Sequence, residues 1–202
     1  LSTSLGDIYI ELFPDEAPNN VANFLALAHG EVEFTEKSSG NTFYPRYFDG
    51  MQFHRVVPGM FIQTGSPHYH PLGMPRKVIP DEINADILGL GQQLVMNDSG
   101  ELNPLLNIHG KKNFQQELLN PVLDHLGINS EPEISARQYE IYDLIANLSL
   151  KQAYEINGYT YTSDLTTRAI TRSIVALANS GPDSNGPEFF IATSDLPSLN
   201  GK

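Results

Sequence analysis

Residues Asp7-Ile8-Tyr9-Ile10-Glu11-Leu12-Phe13 alternate polar and apolar positions before Pro14, the two-residue period of a half-buried strand. Asp15 to His29 then reads as a helix. Pro18 sits near its start, where a missing N–H costs nothing. Ala17, Val21, Phe24, Leu25 and Ala28 share one face, and Gly30 supplies a C-terminal stop. Residues 31–44 are polar and Gly-containing and read as a surface loop. Tyr47 to Gln63 is rich in aromatic and β-branched residues broken by Asp49-Gly50 and Pro58-Gly59, which predicts short strands joined by turns.

Beyond Asn84 the pattern changes. Residues 85–110 carry Gly, Asn and Pro with no sustained period. Phe114, Leu118, Leu119, Val122 and Leu126 then recur at helical spacing up to Gly127. Ile134, Ile141, Leu144, Ile145 and Leu148 predict a second helix from about Pro132, with Ser130 as its cap. Residues 153–156 and 159–162 flank Asn157-Gly158, a strong hairpin signal. From Ser173 short strands return: Ile174 to Leu177, then Phe189 to Ala192.

Composition narrows the classes. The 202 residues are 40% hydrophobic and 18% charged, a globular balance. There is no Cys, which excludes disulfides, thiolate metal sites and cysteine nucleophiles. The formal charge of −12 argues against a nucleic-acid partner, whose phosphates call for clustered Lys and Arg. The acidity is spread evenly: residues 85–168 hold 11 acidic and 5 basic side chains, half of the excess. Self-repulsion of that charge favours a monomer. No apolar run approaches the roughly 20 residues that span a bilayer. The opening at Leu1, without an initiator Met or a basic-then-apolar leader, is the expectation for a trimmed or mature form.

Phe53-His54-Arg55-Val56-Val57-Pro58-Gly59-Met60-Phe61-Ile62-Gln63-Thr64-Gly65 carries the candidate chemistry. One Arg and one Gln stand on strands joined by a Pro-Gly turn, among large apolar side chains. Residues two apart in a strand share a face, so Arg55 faces with Phe53 and Val57. A guanidinium over an apolar pocket is a fixed set of donors that cannot lose its charge. From periodicity alone, an Arg at a sheet rim making a surface ion pair is the simpler reading.

This segment closely resembles the signature of the cyclophilins, the peptidyl-prolyl cis-trans isomerases. Ala178-Asn179-Ser180-Gly181-Pro182 running into Glu188-Phe189-Phe190-Ile191 resembles a second family segment, and Gly6 to Pro18, Val21 to Leu25 and Pro80-Asp81-Glu82 agree in order. The resemblance implies a mainly β fold: a closed antiparallel β-barrel capped by helices, formed by residues 1–84 and 172–202. Residues 85–171 would be an inserted, mostly helical subdomain of two helices and a β-hairpin. Lying between two groups of groove residues, it would form a wall or lid. The implied activity is rotation about X–Pro bonds in peptides and folding proteins, with no cofactor or metal. Arg55 is the implied catalytic residue and Gln63 orients the peptide. Phe53 and Glu188 belong to the groove; Met60, Phe61, Phe190 and Leu199 line the proline pocket. The Asn179 backbone pairs with substrate between Ala178 and Ser180, and His54 is structural.

The chemistry suits these residue types. Amide resonance sets a rotation barrier of about 18–20 kcal/mol. A donor aimed at the prolyl nitrogen becomes favourable only when that nitrogen turns pyramidal, which is stabilisation of the transition state alone. The departures are Met60-Phe61, which inverts the usual Phe-Met order, Glu188 in place of Gln, and Ser180 in place of Ala. Ser198 stands where cyclosporin-sensitive members often carry Trp, so weak cyclosporin binding is expected. The chain ends at Lys202, before the family's His and closing strand. The inverted Met60-Phe61 pair, Glu188 and the missing end support the alternative of a catalytically weak peptide-binding, chaperone or scaffold module. Weaker signals are His68-x-His70 as metal ligands, Tyr154, Tyr159 and Tyr161 as an aromatic face, and Gly89-x-Gly91, which lacks the third Gly of a nucleotide loop.

Overall fold

A computed structural model of the chain describes residues 1–36, 39–71, 73 and 78–202. Two compact units divide it: Leu1–Glu82 with Ile170–Leu196, and Ile83–Ala169 with Pro197–Lys202.

In the first unit, helix α1 (Pro18–His29) forms as expected, with Pro18 in the first turn and Gly30 left-handed at φ 74°. A Cβ on Gly30 would come within 2.8 Å of the Tyr44 carbonyl oxygen. No neighbouring side chain caps the N-terminus. The Glu82 carboxylate does so from 63 and 62 residues away, accepting the backbone N–H groups of Asn19 and Asn20, each at 2.9 Å. Both Asn side-chain amides also donate to it. Its negative charge sits at the positive end of the helix dipole.

Strands β1 (Ser2–Thr3) and β2 (Gly6–Asp7) form one ribbon, and β3 (Phe34–Thr35) and β4 (Thr42–Phe43) another. The second ribbon lies inside the segment read as loop; residues 37 and 38 of that segment lie outside the described residues. The strand expected over Asp7–Phe13 stops at Asp7, because the ladder ends where its partner Ser2–Thr3 ends. The main sheet has β5 (Arg55–Val57), β6 (Phe61–Thr64), β7 (Val175–Leu177) and β8 (Phe189–Ala192) in the order β5-β6-β8-β7, all neighbours antiparallel. Pro58-Gly59, with Gly59 at φ 74°, turns β5 into β6.

One face of this sheet packs on α1. Phe189 meets Phe24 at 5.4 Å and Phe48 at 5.5 Å, both edge-on. Leu27, Phe34 and Tyr47 form a buried cluster beside them, and the His70 ring stacks on Tyr47 at 4.2 Å and 9°. Among the described residues the strands do not close into a barrel, and helical residues outnumber strand residues. The helix content corrects the mainly β expectation: the paired strands are two to four residues long, and the second unit is helical.

That unit has its own core, centred on Leu118, Val122, Ile141, Ile145, Leu150 and Tyr154. Helix α2 (Gly110–Phe114) runs through a π turn (Gln115–Leu119) into α3 (Asn120–His125). Pro121 has no N–H to offer Glu117 four residues back, which favours the wider turn. The Asn157 side-chain amide donates to the Glu117 carbonyl instead, at 3.1 Å. The second predicted helix is two, α4 (Glu131–Ala136) and α5 (Gln138–Asn147), separated by Arg137 at φ −108° and ψ 18°.

The predicted hairpin is absent. Leu150–Ile156 is helix α6, opened by a reciprocal capping box between Ser149 and Gln152. Asn157-Gly158 ends this helix: Gly158 N–H bonds the Glu155 carbonyl and Tyr159 N–H that of Tyr154, with Gly158 at φ 95°. The tyrosines therefore form no cross-strand face. At the base of the unit, buried Asn84 donates to the carbonyls of Leu165 (2.8 Å) and Ser163 (3.3 Å) and accepts from the N–H groups of Asp86 and Ile87. The last residues join this unit: Tyr161 donates to the Gly201 carbonyl at 2.9 Å, and Lys202 Nζ stands 4.8 Å over the Tyr154 ring. Among the described residues no helix is long and apolar enough to cross a membrane.

Replacing Glu82 by Ala removes the α1 cap and should cost about 1–2 kcal/mol in denaturant unfolding, with Gln recovering part of it; no loss would show that solvent caps the helix equally well. Burial holds the His70 imidazole below its ordinary value of 6.5. As pH falls through that value, the unfolded chain takes up a proton that the folded chain refuses, so stability present above it is lost below it. The urea midpoint should therefore drop on acidification from about pH 7.5 to about pH 5, and drop less in His70→Phe, which keeps the ring stack. Equal slopes in both proteins would contradict the assignment to His70.

Candidate active site

The other face of the main sheet holds the candidate chemistry. Arg55 pairs with Gln63 across β5 and β6, and Gln63 pairs with Phe190 across β6 and β8. Val57 is opposite Phe61, and Phe61 opposite Ala192. Because side chains alternate along a strand, Arg55, Phe61, Gln63 and Phe190 point the same way. Glu188, two residues before Phe190, shares that face.

The polar groups form a connected chain. Arg55 Nη1 donates to Gln63 Oε1 at 3.3 Å, and Gln63 Nε2 donates to Glu188 Oε1 at 2.6 Å. His54 Nε2 also meets Glu188 Oε1, at 3.0 Å. A carboxylate can only accept, so Glu188 turns the NH₂ end of Gln63 toward itself and the carbonyl end toward Arg55. The Arg55 guanidinium carbon lies 5.0 Å from the Phe61 ring centre, within cation–π range. Phe61 and Phe190 are 5.4 Å apart. Gln63, Phe61 and Phe190 are buried, whereas Arg55 is exposed and, among the described residues, has no carboxylate partner. The rim ion pair therefore does not form.

Glycine makes the close approach behind this face possible. Gly65 lies just past β6 at φ 84°, and a Cβ there would stand 2.4 Å from the Pro187 carbonyl oxygen. Tyr47 donates its hydroxyl to the Gly65 carbonyl at 3.3 Å. Burial, with a smaller contribution from the Glu188 carboxylate, pushes the Tyr47 phenol well above its ordinary value. His54 packs on Tyr69 at 4.9 Å, and its buried Nδ1 has no partner among the described residues.

The remaining predicted residues lie outside this array. Phe53 is half-buried just before β5, and Met60 is 39% exposed in the turn. The Met60 carbonyl accepts from Thr193 N–H at 2.7 Å. Ala178 N–H donates to the Glu188 carbonyl at 2.8 Å, and Ser180 N–H donates to Ser184 Oγ at 3.0 Å. Asn179 makes no backbone hydrogen bond to another described residue. Its side chain donates to Asn185 Oδ1 at 3.2 Å. Leu199 belongs to the second unit, where its turn packs on Pro104–Leu106.

Sequence reasoning missed Asp81 and Asn185. Asn185 Nδ2 donates to Asp81 Oδ1 at 2.7 Å, while Asp81 and Asp183 exchange backbone-to-carboxylate bonds at 2.9 and 3.0 Å. This clasp holds the loop that carries Asn179; no periodic pattern signals it, because its members lie 102 and 104 residues apart. Among the described residues no group of three or more His, Asp or Glu is placed to hold a metal ion, and the His70 ring is engaged with Tyr47.

A family model described as cyclophilin type peptidyl-prolyl cis-trans isomerase/CLD matches residues 1–202. Similar curated proteins include peptidyl-prolyl cis-trans isomerase B of Streptomyces anulatus, 39% identical over 43% of this chain and 50% of its own length. A probable peptidyl-prolyl cis-trans isomerase A of Mycobacterium bovis is 41% identical over 43% of this chain and 48% of its own length. Peptidyl-prolyl cis-trans isomerase-like 1 of Rhizopus delemar is 24% identical over the whole of this chain and 67% of its own length. The chain spans about half the length of the first two of these relatives. It belongs to the cyclophilin-type peptidyl-prolyl cis-trans isomerase family.

Proposed function

We propose that the protein accelerates cis-trans rotation about X–Pro bonds in peptides and folding proteins. The single observation that carries this reading is the row Arg55–Gln63–Phe190 on one sheet face, with Phe61 beneath the guanidinium. Phe61 and Phe190, with Phe53 and Met60 nearby in sequence, would hold the pyrrolidine ring. Arg55 would donate to the prolyl nitrogen as it loses amide resonance and turns pyramidal. Nothing needs to be deprotonated, and no covalent intermediate forms. The open backbone of Asn179, between Ala178 and Ser180, would pair with the substrate peptide.

The proposal extends to architecture. The closed barrel belongs to the family resemblance, and residues 85–171 are proposed as an insertion in it. The separate helical core of the second unit supports the insertion.

A second reading, a peptide-binding module with weak catalysis, draws on one feature. Both ends of the Gln63 amide are already engaged, by Glu188 and by Arg55, which leaves it one N–H and one carbonyl lone pair with which to orient a peptide.

Isomerisation of an X–Pro peptide, followed with a protease-coupled assay, separates the readings. Arg55→Ala should lower kcat/KM about 100-fold relative to wild type, and Arg55→Lys should restore little, since one donor group aimed at developing charge is worth that much. Equal rates in wild type and Arg55→Ala would defeat the enzymatic reading. Peptide binding without acceleration would leave the binding module.

A further inference from the structure

We propose that Glu188 makes this groove selective for peptides carrying a lysine or arginine next to the proline. The inference rests on the peptide-binding reading above and names the substrate class of the same site.

Four observations carry it. The pleat puts the Glu188 side chain on the face of Gln63 and Phe190, so its charge faces the space a bound peptide would occupy. Both hydrogen bonds to the carboxylate, from Gln63 and His54, fall on Oε1. Among the described residues Oε2 has no partner, and the side chain keeps 23% of its exposure. Finally, Arg55 is bound to the other end of the Gln63 amide and lies over Phe61, so it does not neutralise Glu188 by direct pairing.

The physical consequence is a half-buried negative charge with one open oxygen, two hydrogen bonds from the guanidinium that would act on the proline. A charge in such a recess is less screened than one on an open surface. A lysine ammonium or arginine guanidinium reaching it forms a charge-assisted bond, and the apolar stem of that side chain can lie along neighbouring aromatic rings. A glutamate or aspartate at the same place meets like charge, so the residue selects by repulsion as well as attraction. A glutamine, the residue expected here from the family resemblance, would do neither. The His54 ring already donates to Oε1, and its buried Nδ1 has no partner among the described residues. It anchors the carboxylate without closing off Oε2.

The test uses the full chain and matched peptides with Lys, Gln or Glu immediately before proline, and a second set with the same residues immediately after it. Dissociation constants come from NMR titration and kcat/KM from exchange spectroscopy, at low and high salt. In at least one set, wild type should prefer Lys over Glu by about tenfold at low salt, and Glu188→Gln should shrink that ratio to below about twofold. An unchanged ratio in Glu188→Gln would assign the preference to the overall negative charge and overturn the inference. So would a wild type that binds all three peptides equally, a result that needs no variant to fold. Selective binding with no acceleration would defeat the isomerase reading while sustaining the role of Glu188. Failure to bind any peptide would overturn both.

Discussion

The antiparallel pairing of β6 with β8 is the constraint on which the rest of the site depends. It joins residues 61–64 to residues 189–192, so a row of four site side chains comes from two parts of the chain that more than a hundred residues separate. Long-range pairing of this kind must overcome the entropy of closing a large loop before its contacts repay it. Two features lower the local cost. Gly65 lets the backbone pass Pro187 where any Cβ would collide, and Phe189 locks the opposite face of β8 under α1 through Phe24 and Phe48. One strand thus presents a packing residue and a site residue side by side.

On that frame a single carboxylate sets the direction of the polar groups. Glu188 can only accept, so Gln63 must offer it the amide nitrogen and turn its carbonyl to Arg55. Among the described residues the guanidinium is held by one bond and one aromatic face, and the side chain stays exposed. The Asp81–Asn185–Asn179 clasp fixes the adjoining loop in the same manner, by side chains that satisfy one another rather than by regular structure. Positioning here comes from partly buried polar groups bonded to one another, which are costly to disturb where removing one leaves its buried partner unpaired.

Much of this was legible in the residues themselves. Helix α1 announced itself through Pro18, its apolar face and Gly30, and the strands around Pro58-Gly59 through their turn chemistry. The family signature picked out Arg55, Gln63, Phe61 and Phe190 together, and the structure sets them on one face. What sequence could not supply was long-range: the Glu82 cap, the Asn157 bond to the carbonyl that Pro121 abandons, and the Asp81 clasp. Asn157-Gly158 misled because the same dipeptide that favours a tight hairpin also ends a helix, and the Ser149-x-x-Gln152 spacing that decides between them lies eight residues upstream. The tyrosines followed that error. Leu199, which the family resemblance puts in the groove, belongs to a turn that packs on Pro104–Leu106 within the second unit.

The central claim is that β6 and β8 pair in the register that sets Gln63 opposite Phe190. Nuclear Overhauser effects between backbone protons report it most directly. Cross-strand effects should link Gln63 with Phe190 and Ile62 with Ile191 in the wild-type chain, and should be lost or shifted in register in Gly65→Ala. Strong effects linking Gln63 to a residue other than Phe190, or none between residues 61–64 and 189–192, would contradict the site as built here.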